Sequence, residues 1–292
     1  MIYLLIVSLI WAFSFGIIKG QLTSIDPNFV AFARLLLSFL VFIPFIKIQN
    51  LKRKFIFQFI LLGMIQYGVM YVTYILSYQY LKAYQVALFT IFTPLYVTLI
   101  NDILHKKFHF RFLFSAVISV LGTAVIVFDQ FSDWNLRMGF VLVQVSNIAF
   151  AFGQIYYRKL MRRVSNITDL SVFGLLYMGA VIFTGIFSMV TTDYSSIVLE
   201  TNQIWALIYL GVIASGICFF LWNFGARKTN PGILAVFNNI KIPAAIVVSL
   251  LFFGESADII KLTAGLIIIA FAFLINESSF FNRILNKKGL QY

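Results

Sequence analysis

The sequence predicts an all-α polytopic membrane protein, ten transmembrane helices in two inverted five-helix repeats. Three observations predict it. Hydrophobic residues make up 61% of the 292, charged residues only 11%, and phenylalanine alone occurs 34 times, whereas a soluble domain carries about 25% charged residues. The apolar residues fall in runs close to the roughly 20 residues that span a bilayer as helix. The charges between the runs alternate in sign along the chain, as they do when successive connections lie on opposite sides of a membrane.

The runs cover residues 1–19, 28–46, 57–80, 84–104, 111–128, 138–157, 169–190, 203–224, 231–253 and 259–276. They are too long and too evenly apolar for barrel strands, which are about 10 residues of strict alternation. The first run has no charge, no basic segment before it and no A-x-A site after it, so it is expected to be a span and not a cleavable signal. No connection is long enough to hold a soluble domain. The lone cysteine, Cys218, lies in an apolar run and is read as a small packing residue.

Charge orients the runs. The even connections hold Lys47, Lys52, Arg53 and Lys54, then Lys106, Lys107 and Arg111, then Arg158, Lys159, Arg162 and Arg163, then Arg227 and Lys228; the end adds Arg283, Lys287 and Lys288. The odd connections hold mainly Asp26, Lys82, Asp129, Asp133, Asp193, Glu200, Glu255 and Asp258. Positive charge stays inside, so both termini are expected in the cytoplasm, across the cytoplasmic (inner) membrane. The net charge of +12 then reflects loops facing anionic lipid, not a nucleic-acid surface.

A repeat is visible. Ala12-Phe13-Ser14-Phe15-Gly16 in the first run matches Ala149-Phe150-Ala151-Phe152-Gly153 in the sixth, and Pro94 in the fourth corresponds to Pro243 in the ninth. The predicted units are residues 1–130 and 136–276, followed by a basic cytoplasmic tail, 277–292. Five is odd, so the second unit enters from the opposite side, an inverted repeat whose substrate site is expected near the midplane.

The stretch Leu234–Glu255 carries the strongest chemistry. Within an apolar helix it places Asn238, Asn239, Lys241 and Pro243. A charge there costs at least about 2.5–3.5 kcal/mol, and Pro243 leaves the carbonyl of Asn239 without its helical donor. Asn238 and Lys241, three apart, share a face. Lys241 can bind a carboxylate or change protonation during transport, which would allow proton coupling; the bland reading is a lysine that only fixes packing. Arg34, about six residues into the second run, either lines the pathway and grips a carboxylate or snorkels outward toward Asp26. Gln66 precedes Tyr67, Tyr71, Tyr74 and Tyr78, whose spacing follows one helix face; they form either a wall for an amphiphilic solute or packing and an interfacial belt. Gln144, Asn147 and Gln154 in the sixth run, and Trp222-Asn223 in the eighth, are cavity lining or interhelical glue worth about 1 kcal/mol each. Pro94 and Pro243 are expected hinges.

Ile10-Trp11-Ala12-Phe13-Ser14-Phe15, Phe32-Ala33-Arg34-Leu35-Leu36, Thr93-Pro94-Leu95 and Leu251-Phe252-Phe253-Gly254-Glu255, in this order along the whole chain, resemble the drug/metabolite transporter superfamily, in particular its EamA-type members. The first half departs from that pattern, with His105-Lys106 where the second has Gly254-Glu255. The resemblance implies a polytopic carrier of small metabolites, often an exporter.

The expected function is a secondary transporter, an exporter or exchanger, of a small metabolite such as an amino acid or related carboxylate, working by alternating access and binding near Asn238, Lys241 and the tyrosines. No metal-ligand cluster is expected, since His105 and His109 stand in a basic loop without cysteines or carboxylates, and no P-loop occurs, so ATP drive is not expected. No cofactor is expected. Arg34 and Lys241 favour an anionic or zwitterionic solute over the first alternative, a hydrophobic drug or amine. A second alternative, an intramembrane enzyme or lipid-handling protein, would need a nucleophile–base or carboxylate pair within the membrane, which the sequence does not offer. Oligomeric state is not legible.

Overall fold

The computed structural model describes residues 2–49, 51–106, 110–127, 132–164, 167–228 and 231–277, with side chains throughout except at 105, 110–113, 115–116, 119, 127, 231–240 and 272–277. Among the described residues the chain is helical, with no strand. The helices are α1 Ile2–Leu22, α2 Pro27–Phe45, α3 Arg53–Ser77, α4 Ala83–Leu104, α5 Phe110–Val127, α6 Trp134–Met161, α7 Asp169–Thr191, α8 Thr201–Lys228, α9 Pro231–Phe252 and α10 Ile259–Glu277. Seven of these, α1–α4 and α6–α8, are long and apolar enough among the described residues to cross a membrane. Large apolar side chains such as Leu9, Phe57, Val190 and Leu251 face outward, as lipid-facing positions do. The boundaries differ from the apolar runs mainly where charge and helix overlap. α6 continues through Arg158 and Lys159 to Met161, and α3 begins at Arg53, because long basic side chains extend from a helix end to the interface without breaking it.

Acidic residues of the odd connections serve as helix caps. The Asp26 carboxylate accepts from the N–H groups of Asn28 and Phe29 at 3.0 and 2.9 Å at the start of α2. Asp133 does the same for Asn135 in α6, and Asp258 for Ile260 and Lys261 in α10. At the start of α8 the Gln203 side chain accepts from the Glu200 N–H at 2.9 Å. The first N–H groups of a helix have no intrahelical partner and carry the positive end of its dipole, so an acid there satisfies both. α4 is capped from afar: Glu255, beyond the end of α9, accepts from the N–H groups of Ala83 and Tyr84 at 2.7 and 3.0 Å. Gly254 makes this reach possible with φ of +64°, a left-handed turn that favours glycine.

Helices pack closely where side chains are absent. An added Cβ on Gly63 of α3 would lie 1.8 Å from the Leu176 carbonyl oxygen of α7, and one on Gly179 of α7 would lie 1.9 Å from that of Ile60. These two glycines therefore set the α3–α7 separation, the small-residue contact by which helices associate in lipid. Three helices carry π geometry: α1 ends in a π-turn at Ile18–Leu22, and α3 and α8 carry internal π-segments at Met64–Val69 and Tyr209–Ile217. α4 is interrupted by a 3-10 turn at Thr90–Phe92, after which Thr93-Pro94 starts a new helical segment. In α9 the helix is unbroken through Pro243. The two prolines thus sit differently, one just inside a helix start where its missing N–H costs nothing, the other in a helix interior.

Candidate functional site

Arg34 on α2 is 3% exposed. Its Nη2 donates to Ser215 Oγ at 3.0 Å and to the Tyr71 hydroxyl at 3.3 Å, and its guanidinium lies 4.9 Å from the Tyr71 ring centroid. The π-segment of α8 positions Ser215: its hydroxyl donates five residues back to Leu210 O at 2.6 Å. Tyr177 of α7 donates to the carbonyls of Ser215 and Gly216 at 2.6 and 3.0 Å. A π-segment exposes carbonyls that an α-helix would consume, and such segments recur at functional sites. The Nε and Nη1 of Arg34 are buried without a hydrogen-bond partner. A guanidinium so held keeps part of its donor fork for something else.

Lys241 on α9 is 6% exposed. Its ammonium stands 5.1 Å from the Trp11 ring centroid and 6.0 Å from that of Phe150. Trp11 is fixed by its indole N–H, which donates to Ala214 O at 2.9 Å. The repeat noticed in the sequence, Ala12–Gly16 against Ala149–Gly153, thus brings an aromatic from each copy of the segment, or its immediate neighbour, to the same ammonium.

A polar patch faces these cations from α4 and α6. Where α4 is interrupted, the Phe89 carbonyl accepts from Asn147 Nδ2 at 2.9 Å and Gln144 Nε2 at 3.4 Å. Thr93 donates to Asn147 Oδ1 at 3.1 Å, and Tyr96 to Gln144 Oε1 at 3.2 Å.

Arg34, Lys241, Tyr71, Tyr74 and Asn147 line one cavity, together with Trp11, Ser14, Phe150, Thr93, Phe219 and others. No acidic side chain lines it among the described residues. Its free volume is about 60 Å³, enough for a few water molecules. Arg34 does not snorkel toward Asp26; it points into the cavity, and Asp26 is engaged as a cap. Other sequence candidates stand behind the wall. Gln66 donates to Asn223 at 3.1 Å, Asn223 to the Tyr67 hydroxyl at 2.8 Å, and Tyr67 stacks on Tyr177. Trp222 is fully buried beside Trp11, and Gln144 holds Asn147. The expected tyrosine face requires 3.6 residues per turn. The π-segment Met64–Val69 inserts a residue, a rotation of about 100°, and turns Gln66 and Tyr67 toward α7 and α8. The side chains of Asn238 and Asn239 lie outside the described residues. Ser215, Thr90 and Ser146 were missed, because small polar residues in apolar runs read like ordinary helix contacts.

A helical membrane protein whose broken and π-distorted helices enclose a cavity bearing two buried cations has the build of a solute carrier. The sequence profile of the EamA-like transporter family matches residues 1–128 and again 137–277; the chain belongs to this family, and it is a multi-pass membrane transporter, not an enzyme. It is 34% identical over 277 residues to a Pseudomonas aeruginosa protein described as "Probable biotin transporter", covering 94% of this chain and 96% of that one. It is 36% identical over 252 residues to the Escherichia coli K12 "Biotin transporter", covering 86% and 84%, and 35% identical over the same length to that of Salmonella typhimurium. One crystal structure of a protein 13% identical superposes with a TM-score of 0.72 over 94% of this chain and 96% of that one, a likeness of fold.

Proposed function

We propose that the chain is a secondary transporter of biotin or a closely related monocarboxylate, working by alternating access across the cytoplasmic membrane. The observation that carries this is the cavity itself: two buried cations, Arg34 with unpartnered nitrogens, and no acidic lining residue among those described. Burying such charges without a counter-ion is costly, and a substrate carboxylate supplies one. The relatives narrow the class from the amino acid expected from the sequence to biotin, whose cyclic urea would meet the Thr93–Asn147 patch while its carboxylate meets the cations. A hydrophobic amine would meet two like charges, which disfavours the drug-export alternative.

The ten-span, inverted-repeat organisation with units 1–130 and 136–276 is part of the proposal. Several features support it. The family profile matches twice. The main packing pairs are preserved when α1–α5 are exchanged with α6–α10: α1·α9 becomes α6·α4, α2·α8 becomes α7·α3, α1·α8 becomes α6·α3, and α2·α7, α4·α9 and α5·α10 map onto themselves. The same exchange pairs helices α3 and α8, which both carry π-segments, and α4 and α9, which are followed by the left-handed residues Lys106 and Gly254. In this reading both termini are cytoplasmic, and Pro94 and Pro243 flank the moving cavity. A cavity of a few waters admits a metabolite only when the halves part, which fits a carrier that closes around its site.

Purified protein in proteoliposomes, loaded with tritiated biotin and assayed in both directions, tests the substrate and reads the direction. Biotin-dependent flux that excess unlabelled biotin abolishes and biotin amide does not is the expected result. Flux equal to protein-free vesicles removes the reading.

A further inference from the structure

A second cavity lies outside the central site, at the end of α4, α6 and α8 that carries the basic connections. It is lined by Val97 and Leu104 of α4, by Gln154, Ile155, Arg158 and Lys159 of α6, and by Arg162 and Arg163 just beyond the end of α6, and its free volume is about 580 Å³. Four cations from one helix end border it. Arg158 is tied down, donating to the Ala226 carbonyl at 2.5 Å, and the Lys159 ammonium lies 5.9 Å from the Tyr156 ring centroid; Arg162 and Arg163 stand exposed at the rim. Deeper in, Gln154 is 3% exposed, and both its amide nitrogen and its amide oxygen lack a partner. A buried primary amide with neither group satisfied is expensive, and this one lines the cavity.

The opposite end of the molecule makes the contrast. There α1 and α3 form the related corner, with Lys19 donating to the Tyr78 carbonyl at 2.7 Å as Arg158 does to Ala226. That corner is plugged: the Phe253 ring lies against Gly16 and Gly20 of α1, and Glu255 clasps the start of α4.

We propose that the α4–α6–α8 cavity is a second binding site for the transported solute, a vestibule that holds an organic anion carrying an amide or urea group. The carboxylate is held at the rim by Arg162 and Arg163, and the urea N–H and C=O pair with the amide oxygen and nitrogen of Gln154. The apolar side chains of Val97, Leu104 and Ile155 cover the rest. The assignment of biotin as the probe rests on the proposed function.

Equilibrium binding of tritiated biotin to the full-length protein in phosphatidylcholine nanodiscs tests it. The wild type shows two components, one tight and one weak. About 0.5 M NaCl abolishes the weak one, because the rim charges are exposed and screened. Lys241→Met weakens the tight component by about 10- to 150-fold and leaves the salt-sensitive weak one unchanged. Gln154→Leu combined with Arg162→Gln weakens only the weak component, by about tenfold or more, and the surviving tight component reports an intact fold. A wild type with one component, or a weak component that the Gln154 variant leaves unchanged, overturns the vestibule and leaves the substrate reading standing. Absence of both components overturns the substrate reading with it. Displacement of the weak component by phosphatidylglycerol at fixed salt assigns the cavity to a lipid headgroup and overturns its role for solute.

Discussion

Replacing Lys241 with methionine separates binding from folding. Methionine keeps the length and the apolar stem, and its thioether packs well on Trp11 and Phe150, the two rings that now flank the ammonium at 5.1 and 6.0 Å. The cation–π attraction that the methionine gives up is worth about 0.5–2 kcal/mol. Against this, the folded protein no longer bears the desolvation cost of burying the charge of Lys241, which is 6% exposed, a cost on the order of several kcal/mol per ion. The melting temperature in detergent is therefore expected to hold or rise. Binding moves the other way. A charge-assisted hydrogen bond to a carboxylate contributes about 1.5–3 kcal/mol, so biotin affinity should fall about 10- to 150-fold at roughly 1.4 kcal/mol per decade. Isothermal titration on the purified variant, with a thermal melt on the same sample, reads both. Unchanged affinity refutes the assignment of the cation to substrate. A melting temperature that drops together with affinity makes Lys241 a packing residue.

Reporter fusions placed after Lys52, Lys107, Arg162 and Lys228 should all read cytoplasmic, and an external reading at Lys107 and Lys228 breaks the inverted-repeat topology. Gly63→Ala and Gly179→Ala should each lower stability by about 1–3 kcal/mol, seen as lost yield and melting temperature, since the added methyl meets a backbone carbonyl at 1.8 or 1.9 Å; a wild-type melt would show that α3 and α7 are free to separate. Glu255→Gln weakens the clasp on Ala83 and Tyr84 by replacing a charged acceptor with a neutral one. In a Cys218→Ser background carrying Ile18→Cys, an impermeant thiol reagent added from outside should then label faster, and an unaltered rate would mean that the clasp does not govern outer closure.

Much of the fold could be read from the residues because lipid makes the signal coarse. A span must be apolar along its whole length, so runs such as 28–46 and 169–190 lie close to Pro27–Phe45 and Asp169–Thr191. The same evenness hides what happens inside a span. With apolar residues on every face there is no periodicity for a π-segment to disturb, and nothing in Tyr209–Ile217 announces one. Arg34 and Lys241 were legible because a charge in such a run is conspicuous. Their surroundings were not: Ser215 and Trp11 become functional candidates only through the helices that bring them to those charges. Tyr67 and Gln66 show the converse, a face read at the α-helical repeat that the π-segment of α3 turns aside.

The π-segment of α8 also says how such a site can change its preference. Ser215 meets Arg34 because one residue more than an α-helix needs is wound into Tyr209–Ile217. Deleting a single residue there would restore the regular winding and swing Ser215 by about 100°, with no lining residue substituted. Specificity in this cavity is therefore open to insertions and deletions of one residue, a route to new substrates that inspection of the lining residues would not reveal.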